Sequence, residues 1–344
     1  MIRGLKLDAR LSLGILMTSL VAVVVGAMLS EQTDNLGSLL RRSPEPEPEI
    51  YANAKARISS GEQLLFADNL NPFKKAGIRA YRKEHYAEAE KNFQHSLSFH
   101  RDPETLIYLN NSQVSQEESY LTLAVAIALP EDLETEEAKE ILQGVAQAQK
   151  EFIEEGNAVK VLIGDDDDEP DSAAMLAQKF VEMPEVLGVI GHLSSDSSLN
   201  AGSIYQDAGL VMVSPLSTAM SLSGLGSYIF RTVPNDFYAS KAIADYLVQE
   251  QQITEVAIFY SSHTTYSVSL KHEIAEHLKD HGQKKTLTID TYDPNFDVED
   301  AFETLRAQNI KAIALLTDGE TRPQAIEILK QNNQLTSCKR GESR

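Results

Sequence analysis

Hydrophobic and polar residues follow different spacings along this 344-residue chain, and each spacing predicts a different structure. Residues 11–29 carry no charge and are rich in Leu, Val, Ile and Met. A run of that length can cross a bilayer as a helix, and the basic residues Arg3, Lys6 and Arg10 predict that its amino end stays cytoplasmic. We therefore predict a transmembrane anchor at 11–29. The alternative is a signal peptide cleaved near Ala27, but the apolar core of a signal peptide is usually shorter.

A linker and a helical segment are predicted next. Residues 30–70 include alternating Pro and Glu at 44–49, which predicts an extended spacer because Pro blocks regular structure and like charges repel. Residues 71–114 have helical spacing, with small and aromatic residues placed as in a tetratricopeptide (TPR) repeat: Gly77, Tyr86, Ala89, Phe93 and Ser96. A single repeat must bury its apolar face on a neighbour. This TPR-like segment therefore either binds a partner protein or packs on the next domain, and we favour packing.

From residue 121 onward, short apolar runs alternate with amphipathic ones. Strands are predicted at 121–129, 159–163, 186–190, 210–213, 255–260, 286–291 and 310–316, and helices at 135–155, 172–183, 197–207, 236–251, 266–280, 298–307 and 322–332. Strands separated by helices form parallel sheets that are covered on both faces. The predicted fold class is α/β, with a first lobe at 121–235, a partial second lobe at 236–336 and an atypical polar tail at 337–344.

Composition and motifs narrow the function. The net charge is −20 and no basic stripe occurs, so nucleic acid is not an expected partner, since phosphate binding needs clustered Lys and Arg. The single cysteine, Cys338, excludes an internal disulfide. The sequence contains no Gly-x-Ser-x-Gly motif, phosphate-binding loop or His-Glu-x-x-His motif. We expect a protein that is not an enzyme and that needs no cofactor.

Candidate ligand contacts follow from the position of the strands. In open α/β sheets, ligands bind beyond the carboxyl ends of the strands, which selects the loops at 130–135, 191–196 and 214–219. The 191–196 loop enters a helix whose free N–H groups favour an anion such as a carboxylate. The 214–219 loop carries hydroxyl oxygens that can accept from an ammonium group. Together they suit the zwitterion of a free amino acid; ordinary helix-capping serines are the alternative interpretation.

Three runs of sequence carry a family resemblance: Val189-Ile-Gly-His-Leu-Ser-Ser195, the run at 201–215, and the run at 228–232. They resemble the leucine/isoleucine/valine-binding proteins of ABC importers, which are type I periplasmic binding proteins. The run at 142–149 and the fused helical segment at 71–114 are similar to cyanobacterial members of this family. The resemblance covers roughly 121–334. It implies a two-lobed protein on the periplasmic side of the inner membrane that binds a free amino acid, branched-chain in the family, and passes it to permease subunits.

The resemblance also implies five ligand-binding residues. The carboxylate contacts of the family fall on the main chain of Leu193 and on the N–H and hydroxyl of Ser195. Its ammonium contacts fall on the carbonyl of Leu216 and the hydroxyl of Thr218. A second-lobe aromatic that packs on the ligand falls on Tyr266.

The chain departs from the family pattern at other positions. Two ligand aromatics of the family fall near Glu137 and Thr321, which weakens the implied preference for branched side chains. The apolar strand expected after Gln334 is replaced by polar and charged residues. We therefore expect a truncated second lobe, and little or no amino acid binding by the chain as it stands.

Two polar features are expected to be structural. The acidic run at 165–169 is interpreted as a solvated loop, because consecutive carboxylates lack the spacing of a dedicated calcium site. His192 has no partner at metal-ligand spacing and is interpreted as structural. The leading functional hypothesis is a transport-type binding protein. The alternative is a membrane-tethered sensor or scaffold that uses the same lobe and contacts a partner protein through the TPR-like segment.

Overall fold

The computed structural model describes residues 57–66, 70–129, 136–282 and 285–341. Contacts divide the chain between Asn235 and Asp236 into two compact units, here called the first and the second unit. The predicted anchor at 11–29 and most of the predicted linker lie outside the described residues. Among the residues that are described, no helix is both long enough and apolar enough to cross a membrane.

The first unit consists of a mainly parallel sheet with helices on its faces. Its strands are β1 (Ile58–Ser59), β2 (Leu121–Ile127), β3 (Val159–Asp165), β4 (Val186–Ile190), β5 (Val211–Ser214) and β6 (Ile229–Arg231). Its helices are α1 (Pro72–Arg82), α2 (Tyr86–Leu97), α3 (Pro103–Val114), α4 (Glu136–Glu154), α5 (Pro170–Val181) and α6 (Ser195–Ala208). The strand order is β1-β3-β2-β4-β5-β6, and only β1 runs antiparallel to its neighbour. The carboxyl ends of β2 to β6 therefore meet at one edge.

Helices α1 to α3 belong to the core of the first unit. Phe93 and Tyr108 share one buried cluster with Val125 and Ile127 of β2. A Cβ atom on Gly77 would lie 2.5 Å from the Phe93 ring, so the close approach of α1 and α2 requires a glycine. The segment thus packs on the sheet that follows it, as we favoured from the sequence. Its relation to TPR repeats stays a prediction.

Part of the predicted linker at 30–70 is folded. Strand β1 pairs with β3, and the side chains of Leu64 and Phe66 are buried in the same core as α1 to α3. The backbone N–H of Leu65 donates to Glu104 at 2.7 Å. The linker prediction was wrong for residues 57–66. Unlike the Pro and Glu repeat at 44–49, these residues include apolar side chains that pack in the core of the first unit.

A buried charge cluster joins α1 to α3. Lys74 Nζ lies 2.6 Å from both Asp102 Oδ2 and Glu104 Oε2, and all three residues are buried. Burial alone would lower the pKa of Lys74, but the two carboxylates outweigh it and raise that pKa. Burial raises the pKa of Glu104, which also accepts from Tyr108 Oη at 2.9 Å. The cluster fixes the relative position of the two helices.

The second unit has a three-stranded parallel sheet of order β8-β7-β9. Its elements are α7 (Asp236–Asp245) with a π turn (Tyr246–Glu250), β7 (Glu255–Tyr260), α8 (Thr265–Asp280), β8 (Lys285–Asp290), α9 (Val298–Ala307), β9 (Ala312–Leu316) and α10 (Arg322–Gly341). Successive residues of β7 face opposite sides: Val256 and Ile258 pack with α7 and α8, whereas Ala257 and Phe259 pack with α9 and α10.

Observed and predicted elements agree in type, with three differences. The predicted strands all occur, with ends shifted by at most two residues, but β1 and β6 are too short to have given a periodic signal. The predicted helix at 236–251 changes to a π turn after Asp245. Residues 337–341, predicted as part of an atypical tail, continue α10, because no Gly or Pro interrupts the chain between Gln324 and Arg340.

Candidate functional site

Strands β4 and β5 end side by side, which brings the 191–196 and 214–219 loops together. Ile190 lies opposite Val213, and the N–H of Gly191 donates to the carbonyl of Val213 at 3.0 Å. Gly191 has φ +143°, and a Cβ atom there would lie 2.6 Å from the carbonyl oxygen of Ala126. Only glycine fits where the chain leaves β4 this close to β2.

Helix α6 begins inside the first of these loops. The N-cap residue Ser194 accepts from the N–H of Ser197 through its hydroxyl oxygen at 3.1 Å. Ser195 is the first helical residue, so its N–H has no acceptor within the helix. Such a helix start favours a bound anion. The structure thus places Leu193 and Ser195, the predicted carboxylate contacts, at an electropositive helix end.

Serine hydroxyls tie the two loops together. Ser214 Oγ donates to the carbonyl of His192 at 2.9 Å, and Ser217 Oγ lies 2.9 Å from the carbonyl oxygen of Ser194. Ser198 Oγ lies 3.1 Å from the His192 carbonyl oxygen and 2.5 Å from Ser217 Oγ. The contacts of Ser214 and Ser217 cross from the 214–219 loop to the 191–196 loop and the start of α6, and these contacts fix the spacing of the two loops.

The 214–219 loop holds an unpaired buried hydroxyl. Thr218 Oγ1 is buried and has no hydrogen-bond partner among the described residues. An unsatisfied buried hydroxyl costs folding free energy, so it needs an explanation such as a ligand contact. Arg231 shapes this loop by donating to the carbonyls of Ser217 at 3.2 Å and Ala219 at 2.9 Å. Arg231 belongs to the run at 228–232 that resembles the family, but nothing in the sequence indicates this role.

The interpretation of the acidic run at 165–169 as a solvated loop was wrong for Asp165 and Asp166, whereas Asp168 and Glu169 are exposed. Asp165 pairs with Arg57 and accepts from the N–H of Leu129 at 3.0 Å, and its side chain is fully buried. Burial raises the pKa of Asp165 to about 6 despite these partners. Asp166 is also buried and contacts His192. The sequence pattern could not show this, because Arg57 lies far earlier in the chain, within the predicted linker.

The second unit contains the remaining predicted site residue. Tyr266 lies in the first turn of α8, and burial, followed by the nearby charge of Asp236, raises its pKa. Asp318 follows β9 and accepts from Thr264 Oγ1 at 3.0 Å and from the N–H of Thr321 at 2.8 Å. Burial would raise the pKa of Asp318, but hydrogen bonds from Ser261 and Thr321 outweigh it and lower that pKa. Both the N–H and the hydroxyl of Thr321 are bonded to the Asp318 carboxylate in this turn.

Four of the five predicted contacts are thus neighbours. Leu193, Ser195, Leu216 and Thr218 lie in two joined loops of the first unit, whereas Tyr266 belongs to the second. Within the described ranges, no group of three or more His, Cys, Asp or Glu side chains is arranged to hold a metal ion. A helix start and an unpaired hydroxyl in adjoining loops, at the carboxyl ends of adjacent parallel strands, have the chemistry to hold a small zwitterion or anion.

Polar loops at the carboxyl ends of parallel strands are where open α/β folds bind small ligands. The chain belongs to the periplasmic binding protein family, whose model matches residues 135–336. The predicted α/β fold class is thereby confirmed.

Individual relatives agree with this membership. Over 178 residues the chain is 30% identical to the Leu/Ile/Val-binding protein of Escherichia coli, covering 51% of this chain and 47% of that one. Over 133 residues it is 29% identical to an amino acid binding protein of Pseudomonas aeruginosa, covering 38% and 35%. An ABC transporter substrate-binding protein of Desulfitobacterium hafniense superposes with a TM-score of 0.50 at 26% identity, covering 58% of each chain. The chain spans about half the length, or less, of these curated relatives.

Proposed function

We propose that this protein binds a free amino acid on the periplasmic side of the inner membrane and delivers it to the permease subunits of an ABC importer. The observation that carries the proposal is the pair of joined loops, in which the start of α6 adjoins a loop with an unpaired buried hydroxyl at Thr218. The names of the relatives support it, since the matched proteins bind amino acids and one is a substrate-binding component of an ABC transporter.

Each predicted residue then has a chemical role. The ligand carboxylate accepts from the main chain at Leu193 and from the N–H and hydroxyl of Ser195, where the helix dipole adds favourable charge. The ligand ammonium donates to the carbonyl of Leu216 and to the unpaired hydroxyl oxygen of Thr218. The role of Tyr266 stays a prediction from the family resemblance. No covalent step is involved, so the protein acts as a binder and not as an enzyme.

Leucine, isoleucine and valine are the first ligands to test, because the Escherichia coli relative is named for them. Glu137 is exposed and Thr321 is bonded to Asp318, so neither supplies an apolar wall for the ligand side chain. The proposal therefore fixes recognition of the amino acid head group and leaves the side-chain preference to the measurement. A thermal-shift screen of the free amino acids against the full chain in mild detergent gives that preference.

The head-group contacts have a sharp test. Thr218→Val removes a hydroxyl that has no partner in the described residues, so the melting temperature should stay equal or rise. The same change should weaken amino acid binding by about 10- to 100-fold, since a bond to a charged group is lost. The matched control is Thr105→Val, which removes a buried hydroxyl that donates to Asp102. It should lower stability and leave affinity unchanged.

Two results would overturn the proposal. One is the absence of heat or a melting shift with every amino acid tested by calorimetry and thermal shift. The other is equal affinity in Thr218→Val and the unaltered protein.

The location on the membrane is a separate part of the proposal. Residues 11–29 anchor the protein, with the binding units on the periplasmic side. Mass spectrometry of the protein from its native membrane tests this. A mature amino terminus near Met28 would show that the segment is a cleaved signal.

A second candidate function is a membrane-tethered sensor or scaffold. One observation favours it: α1 and α2 leave a stacked aromatic pair on the surface, Phe73 and Phe99, with ring centroids 5.6 Å apart and Phe99 70% exposed. A transport protein has no evident use for this pair. A deletion strain can be tested for amino acid uptake. If uptake is lost and a Phe73→Ala and Phe99→Ala double variant restores it, transport is favoured over this alternative.

A further inference from the structure

His192 is a buried side chain at the base of the 191–196 loop, and both of its ring nitrogens have partners. Nδ1 contacts Asp166 Oδ2, and Nε2 lies 3.1 Å from Tyr205 Oη. The exposed fraction of each of the three residues is 0%. The rings of His192 and Tyr205 also stack, with centroids 5.9 Å apart. The three side chains form one closed cluster beneath the loop.

The three side chains are linked by two hydrogen bonds. A carboxylate only accepts, so Nδ1 of His192 is the donor to Asp166, and Nε2 shares a hydrogen bond with the hydroxyl of Tyr205. Burial and the charge of Asp166 raise the pKa of Tyr205 well above its usual range, which keeps that hydroxyl protonated. Both ring nitrogens are thus engaged within a cluster that has no exposed surface.

The cluster joins several elements at the carboxyl edge of the sheet. Asp166 follows β3, and its N–H donates to the carbonyl of Ile127 at the end of β2 at 2.9 Å. Tyr205 lies in α6. The carbonyl of His192 accepts from Ser214 at the end of β5, as described above. His192 directly precedes Leu193, and it is therefore linked through these contacts to β2, β3, β5 and α6.

We propose that Asp166, His192 and Tyr205 form a positioning cluster that sets the main chain at Leu193 and Ser195 relative to the 214–219 loop. The side chains lie beneath the loops and act through them. The consequence for ligand affinity rests on the proposed function, because it concerns the same head-group contacts. The effect on the loops themselves exists without ligand and is tested separately.

The first test measures amide hydrogen exchange in the ligand-free full chain. Tyr205→Phe removes one hydroxyl and keeps the ring, so exchange in both the 191–196 and 214–219 loops should rise about two- to tenfold. The matched control is Tyr108→Phe, which removes an equally buried hydroxyl that lies 2.8 Å from the carbonyl oxygen of Gln63 and 2.9 Å from Glu104 Oε1. That control should raise exchange near 57–66 and in α3 only. Unchanged loops in Tyr205→Phe, or equal effects of both variants on the loops, would overturn the proposal.

A second pair of variants separates hydrogen bonding from packing. In Asp166→Asn, the amide can donate to Nδ1, and the reversed tautomer of His192 can donate to Tyr205, so loop exchange should stay within about threefold of the unaltered protein. Asp166→Leu has similar volume but no polar atoms, and it should loosen the loops at least as much as Tyr205→Phe. If Asn and Leu behave alike, the cluster only fills space and the inference is wrong.

The ligand arm uses calorimetry with leucine and with any other amino acid identified by the thermal-shift screen. Tyr205→Phe should raise the dissociation constant about two- to tenfold, while Tyr108→Phe leaves it unchanged. Equal affinity in Tyr205→Phe and the unaltered protein would refute the link between positioning and affinity. If the unaltered protein takes up no amino acid, the proposed function fails, and the exchange measurements still decide whether the cluster positions the loops.

Discussion

The first unit contains two buried polar clusters that are chemically similar and differently placed. One consists of Lys74, Asp102 and Glu104 with the hydroxyl of Tyr108, between helices α1 and α3. The other consists of Asp166 and His192 with the hydroxyl of Tyr205, at the carboxyl ends of the strands. Each combines a basic side chain, acid and buried tyrosine. Both clusters are buried, but only the second lies at the strand ends, where open α/β sheets bind ligands, so only the second is a candidate for a part in binding.

Breaking the first cluster should produce the largest loss of stability. Lys74→Met leaves two buried carboxylates without a cation, which should cost about 3–5 kcal/mol in the free energy of unfolding. Urea denaturation measures it. The affinity of the folded fraction for an amino acid should not change, because Lys74 lies away from the loops.

Two further variants check the cause. Adding Asp102→Asn and Glu104→Gln to Lys74→Met should restore part of the lost stability, since the uncompensated charges are gone. Lys91→Met on the exposed face of α2 should change stability by less than about 0.5 kcal/mol. A Lys74→Met variant as stable as Lys91→Met would contradict the role of the ion cluster.

A further buried carboxylate, Asp165, extends the comparison to pH. Its pKa in the folded protein is about 6, above the usual 3.8, so between these values the folded state holds the proton more tightly than the unfolded state. Stability from this group is therefore fully present at low pH and is lost as pH rises from about 4 to about 6, by about 2–3 kcal/mol. In Asp165→Asn, the urea midpoint should change less with pH across this range. An unchanged slope in that variant would refute the assignment.

Two glycine-to-alanine substitutions compare the 191–196 loop with helix α4, where an added Cβ atom meets no other atom. Gly191→Ala places a Cβ atom 2.6 Å from a backbone oxygen at a positive φ, so it should lower the free energy of unfolding by about 1–3 kcal/mol. Gly144→Ala in α4 meets nothing within 4 Å and should raise it by up to about 1 kcal/mol. Thermal unfolding measures both, and effects of the same sign would contradict the distinction.

The sequence was sufficient for the sheets and for the position of the two loops that carry four of the five predicted contacts, because both depend on local signals. Apolar runs separated by helices define parallel strands, and the loops at 191–196 and 214–219 follow from where β4 and β5 end. The roles of Asp166 and His192 could not be predicted, since their pairing is made by folding and not by spacing. The same holds for Arg57, whose partner Asp165 is on another strand. Short β1 and β6 carry too few residues to show periodicity.

The smallest expected effect on stability is at the contact between the two loops. Ser217 Oγ bridges the Ser194 carbonyl and Ser198 Oγ, so Ser217→Ala should lower the free energy of unfolding by only about 0.5–1.5 kcal/mol. It should nevertheless weaken amino acid binding several-fold, because both halves of the head-group site depend on that contact. Ser203→Ala, at an exposed serine of α6, should change neither quantity measurably. Lys74→Met and Ser217→Ala thus separate stability from function in opposite directions, and a Ser217→Ala variant with unaltered affinity would show that the loops do not act together.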